Sequence, residues 1–105
     1  MVYLVYVVCR NYAEAENIAH ELLKKRLIGC ANIVEDVHSF YWWKKQIVSE
    51  KESLLLCKTS RSLLEKVEKE ITRLHSYKIP CVEYIKVDSA LKVYEKWLYK
   101  ELKAK

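Results

Sequence analysis

Ser39-Phe40-Tyr41-Trp42-Trp43-Lys44-Lys45-Gln46-Ile47 is the stretch whose reading decides the fold. A row of aromatics, carrying two of the three tryptophans, breaks into polar residues without a Gly or Pro. On either side, Cys30 to Trp43 and Ile47 to Thr59 read as strands, so the polar Lys44-Lys45-Gln46 segment is predicted to turn a long hairpin. So much ring area at a strand tip needs a partner. The candidates are the chain's own core, another subunit, a ligand or the bases of a nucleic acid.

Working outward, Val2 to Cys9 is a continuous apolar and β-branched run, too short for a stable helix and predicted as the first strand. Asn11 and Glu14 have capping-box spacing, and Ala15, Ile18, Ala19, Leu22 and Leu23 follow at helical period. Lys24, Lys25 and Arg26 suit the negative end of that helix, and Gly29, the only glycine, reads as its stop. Beyond the hairpin, Ser62 and Glu65 predict another capping box, with Leu63, Leu64, Val67, Ile71 and Leu74 as the apolar face of a second helix. Pro80 opens a fourth strand, Cys81 to Val87. Ser89 is expected to cap a short third helix carrying Leu91, Tyr94, Trp97, Leu98 and Leu102.

The order is βαββαβ plus a C-terminal helix, which predicts an α+β, ferredoxin-like domain over residues 1–105 with a four-stranded antiparallel sheet and a long β2–β3 hairpin. A sheet covered on one face should alternate apolar and polar residues. Here the first strand is apolar on both: Tyr3, Val5, Val7 and Cys9 on one face, Val2, Leu4, Tyr6 and Val8 on the other. Leu54, Leu55 and Leu56 repeat the pattern in the third strand. Each large apolar side chain left in water forfeits ~1.5–3 kcal/mol, so the open face is expected to be covered by another subunit.

The net charge of +5 comes from Lys and Arg interleaved with 14 acids, the pattern of solvated helix faces. No apolar run approaches the ~20 residues of a membrane span. Without a basic and apolar leader at Met1, the expectation is a cytoplasmic protein. The four cysteines, Cys9, Cys30, Cys57 and Cys81, are far apart and form no C-x-x-C pair. That removes zinc-ribbon and thioredoxin-type readings, and each thiol is expected to be a small buried hydrophobe. One glycine in the chain forbids Walker, nucleophile-elbow and Gly-rich phosphate loops, and Cys9-Arg10-Asn11 lacks the backbone nest of an acylphosphatase-type anion site. No enzymatic activity is expected. RNA binding is not expected either: Glu52 to Lys58 has neither the ring nor the Gly of an RRM stacking strand.

Taken together, Cys30-Ala31-Asn32-Ile33, Tyr41-Trp42-Trp43 with Ile47, Lys58-Thr59, Leu74-His75-Ser76-Tyr77 with Pro80, and then Tyr94 and Trp97, resemble the CutA divalent-cation tolerance family across essentially the whole chain. The resemblance implies a ferredoxin-like subunit in a homotrimer, similar in architecture to the nitrogen-regulatory PII proteins, with no catalytic activity. It implies copper or another divalent cation as the bound species, with Cys9 and His75 as metal ligands. A thiolate and an imidazole suit copper or zinc. Two donors make an incomplete set, so further ligands from a neighbouring subunit or water are expected. The chain departs from the family at Lys45, where a Gly is usual, and at Lys78 and Cys81, which replace acidic residues.

A second reading is a PII-like trimeric scaffold that binds a small ligand or partner protein in an intersubunit cleft. Tyr41, Trp42, Trp43, Lys58, Tyr77 and Tyr84 are its candidate lining, with Lys58 as an anion partner. Against it stands the plainer reading that the aromatics pack an interface and Lys58 pairs with Glu50 or Glu52.

Overall fold

The structure, a computed structural model, describes residues 1–103. Its elements are β1 (Val2–Cys9), α1 (Tyr12–Lys24), β2 (Cys30–Trp43), β3 (Gln46–Ser60), a 3₁₀ turn (Arg61–Leu63), α2 (Leu64–Leu74), β4 (Val82–Lys86) and α3 (Lys92–Lys103). The strands form one antiparallel sheet in the order β2-β3-β1-β4. This is the predicted α+β plan with its long hairpin and extra helix.

Alternation along β1 and β3 builds the core. Val5, Val7 and Cys9 pair with Cys57, Leu55 and Ser53, and this row meets Ala15, Ile18, Ala19 and Leu22 of α1 and Val67 and Ile71 of α2. Leu4, Tyr6, Val8, Leu54 and Leu56 form the opposite row and are half-buried. That row is not bare along its whole length. α3 lies at the Lys58 end, where Lys58 Nζ stands 5.7 Å from the centre of the Tyr94 ring. Leu98 is fully buried there, apart from the main core.

Local chemistry departs from the predicted stops and caps in three places. Helix α1 ends before Gly29: Arg26 takes the left-handed conformation at φ 57, Leu27 N–H bonds the Leu22 carbonyl, and Arg26 N–H bonds that of Leu23. This pairing is a Schellman end built without glycine, and Arg26 is held by its guanidinium on the Glu101 carbonyl (3.0 Å) and carboxylate (2.8 Å). Gly29 serves space instead. A Cβ there would stand 2.4 Å from Leu98 Cδ1.

The Ser62–Glu65 capping box does not form, because α2 is entered through the 3₁₀ turn and Ser62 Oγ bonds Ser60 Oγ at 3.1 Å. Nor does Ser89 cap α3: the helix opens at Lys92, and Glu95 N–H bonds the Leu91 carbonyl. The hairpin loop is two residues long, Lys44 (φ 49) and Lys45 (φ 66), between the paired Trp43 and Gln46. That is a type I′ turn, the hairpin turn whose twist matches its strands.

A β-bulge sits lower in the hairpin. Val34 pairs with Leu54 and Val37 with Glu52, so Glu35 and Asp36 both oppose Ser53, and Asp36 has φ 57. Before the bulge, Ala31 and Ile33 pair with the core-facing Cys57 and Leu55. After it, Val37, Ser39 and Tyr41 pair with Glu52, Glu50 and Val48, on the opposite face. The extra residue inverts the facing of every later position in β2.

Candidate metal centre and aromatic cavity

The end of β1 sends adjacent side chains to two sites. Cys9 points inward beneath α1. There the Cys9 thiol, the Glu14 carboxylate and the His75 imidazole bring ligand atoms within 4.8 Å of one another. Glu14 is placed by its capping role: Asn11 Oδ1 accepts the Glu14 N–H at 2.9 Å, and Glu14 Oε1 accepts the Arg10 N–H at 2.8 Å. Its other oxygen accepts the Ser76 N–H at 2.8 Å, which ties the loop after α2 to the start of α1.

His75 is fully shielded. Its Nε2 lies 2.7 Å from the Val8 carbonyl and its Nδ1 3.0 Å from the Tyr77 N. A carbonyl only accepts and an amide N–H only donates, so the ring proton resides on Nε2 and Nδ1 is the acceptor. Burial, helped by the charges of Glu14 and Glu52, pushes the Cys9 thiol up to about 12. Burial also raises Glu14, but the hydrogen bonds from Ser76 and Arg10 outweigh it and hold the carboxyl below its ordinary range.

The donor set fits a borderline cation: thiolate, imidazole and carboxylate are the ligands copper and zinc accept. Two conditions come with it. At neutral pH the Cys9 thiol is protonated in the ion-free chain, so a bound ion must expel the thiol proton. Nδ1 must also exchange the Tyr77 N–H for the ion. The family resemblance named Cys9 and His75, which the structure brings together, and did not name Glu14, whose capping-box spacing read as purely structural.

On the other side of β1, Val8 and Arg10 face a cavity of about 640 Å³ between the hairpin and the loop from Ser76 to Cys81. Tyr41, Trp43 and Tyr77, three of the predicted cleft residues, line it together with Phe40, Glu50, Glu52, Lys78 and Cys81. Tyr77 OH donates to Glu52 Oε2 at 2.6 Å and Tyr41 OH to Glu50 Oε1 at 2.8 Å. These bonds raise both phenols, reinforcing burial at Tyr77 and acting as the main cause at Tyr41.

The remaining predicted cleft residues lie elsewhere. Trp42 pairs with Ile47 on the far side of the hairpin and is 71% exposed, beside Phe40 at 70% and Ile47 at 67%. Tyr84, on β4, donates its OH to Glu68 of α2. Lys58 is at the opposite end of the sheet and pairs with neither Glu50 nor Glu52. Its ammonium donates to Asn32 Oδ1 at 3.1 Å, with Cys30 Sγ at 3.9 Å.

Fold and site together define a small α+β, ferredoxin-like protein in which Cys9, Glu14 and His75 bring three potential ligand atoms together. The family model of the CutA1 divalent ion tolerance protein matches residues 3–101. The divalent-cation tolerance protein CutA of Pyrococcus horikoshii is 39% identical over 100 residues, spanning 95% of this chain and 97% of its own length. That of Thermotoga maritima is 39% identical over 95 residues, with 90% and 93% covered. Among solved structures, a periplasmic divalent cation tolerance protein CutA from Archaeoglobus fulgidus superposes with a TM-score of 0.95 at 32% identity, covering 98% of this chain and all of its own. The chain belongs to the CutA divalent-cation tolerance family.

Proposed function

We propose that the chain acts as a homotrimer that binds copper or a similar divalent cation through Cys9, Glu14 and His75, and that this binding is its part in divalent-cation tolerance. The convergence of the three donors within 4.8 Å carries the reading. Binding, not catalysis, is the role these residues support. The ion supplies no chemistry beyond its own retention; the chain supplies a thiolate, a carboxylate and an imidazole nitrogen, and gives up the Cys9 proton. Exposed Phe40, Trp42 and Ile47 supply an apolar surface for the neighbouring subunits. We place the protein in the cytoplasm on its four unpaired thiols, which a reducing compartment preserves. Among the described residues no helix is long and apolar enough to cross a membrane.

The test is a copper and zinc titration of the wild type, Cys9→Ala and Glu14→Gln, with size measured by light scattering. Near-stoichiometric binding that both variants weaken at least tenfold is expected. Equal affinity in all three discards the site, and a monodisperse monomer at micromolar concentration discards the trimer.

A second reading, a PII-like scaffold that takes a small ligand, is favoured by the cavity that gathers Tyr41, Trp43 and Tyr77.

A further inference from the structure

Glu52 is the anomaly of the cavity. Its side chain belongs to a residue only 5% exposed, yet among the described residues no Lys, Arg or His nitrogen lies within 4.0 Å of it or of Glu50. One phenolic hydrogen bond, from Tyr77, is its recorded side-chain partner. Buried carboxylates are ordinarily matched by a cation, because desolvation of an unpaired charge opposes folding. By contrast, the buried Glu70 of α2 is matched twice, by Arg73 and Lys25. The wall around Glu52 also has a character of its own: Tyr41, Trp43 and Tyr77 present rings, whose faces attract cations.

We propose that this cavity binds a small organic cation, its ammonium group set against Glu52 and Glu50 and enclosed by the rings of Tyr41, Trp43 and Tyr77. The inference rests on the ligand-binding reading above and names the ligand class. A bare metal ion is a poor occupant. The volume, about 640 Å³, is that of a small-molecule site, and the rings offer no ligand atoms. Arg10 and Lys78 also line the cavity and are exposed. A ligand that carries a carboxylate beside its ammonium gains a contact from them.

Calorimetric titration of the full chain in its native assembly tests this with choline, glycine betaine and acetate as probes. Choline is expected to bind, Glu52→Gln to weaken it at least tenfold, and Trp43→Leu to weaken it about fivefold through the lost ring face. Gln keeps the acceptor for Tyr77, so folding should survive. Betaine binding more tightly than choline also supports the site and assigns the extra contact to Arg10 and Lys78. Acetate binding alone overturns the ligand class but leaves a ligand scaffold. No heat with any probe at 10 mM overturns both. If Glu52→Gln changes the assembly instead of choline binding, a neighbouring subunit's cation fills the cavity and the proposal fails.

Discussion

Nε2 of His75 lies 2.7 Å from the carbonyl oxygen of Val8, so the ring proton is fixed there and Nδ1 alone is left for another partner. In the ion-free chain that partner is the Tyr77 N–H. Tyr77 packs its ring 4.9 Å from that of His75 and sends its hydroxyl to Glu52 in the cavity. One residue thus touches both candidate sites, and an ion that claims Nδ1 must move it.

Copper or zinc affinity should therefore rise with pH. The Cys9 thiol is protonated up to about 12, so each bound ion releases a proton, and affinity should grow about tenfold per pH unit between about pH 6 and 8. Competition titrations against a chelator of known affinity read this directly. A flat profile would remove Cys9 from the ligand set.

Acid stability should follow Glu70. Hydrogen bonds from Arg73 and Lys25 lower its carboxyl from 4.5 to about 2. A folded value below the unfolded one stabilises above the unfolded value and is lost as pH falls toward the folded one. Urea midpoints should drop between about pH 5 and 2, with Glu14 acting in the same direction. Glu70→Gln should lower stability at neutral pH and flatten the decline, and an unchanged slope would contradict the assignment.

The hairpin turn is strained by its own side chains. Lys44 and Lys45 both occupy left-handed backbone, which disfavours residues with a Cβ. Lys45→Gly should gain about 0.5–1 kcal/mol after the added freedom of the unfolded chain is subtracted. A denaturation midpoint that falls instead would show the turn to be relaxed.

Gly29→Ala should cost about 1–3 kcal/mol by forcing Leu98 out of its place. The pair is coupled, so Gly29→Ala combined with Leu98→Ala should be less destabilised than the sum of the single variants. Strict additivity in a double-mutant cycle would refute the close approach.

Trp42→Lys should dissociate or loosen the assembly in light scattering and leave choline binding in place, because Trp42 turns away from the cavity. Loss of choline binding with the assembly intact would reverse the assignment of the two hairpin faces.

The element order and strand pairing were legible because apolar periodicity is set by which face is buried, and Val5, Val7, Leu55 and Cys57 obey it. Stops and caps were less legible. Gly29 looked like a helix stop, but the stop is Arg26, whose left-handed conformation is sustained by Glu101, distant in sequence. Of the candidate ligands, Cys9 and His75 came from family resemblance. Glu14 was hidden behind its capping spacing, and only the docking of the Ser76 loop reveals it. Lys58 was misplaced because charge pairing was read along the strand, whereas its partners come from β2 and α3.

The bulge at Glu35–Asp36 acts as a parity switch for the outer hairpin. Downstream of it, Ser39, Tyr41 and Trp43 point to the cavity, which Phe40 also borders, and Trp42 faces away. Tyr41-Trp42-Trp43 is thus two interleaved messages, one addressed inward and one outward, free to drift separately. Deleting a single residue at Asp36 would keep every aromatic yet exchange the recipients.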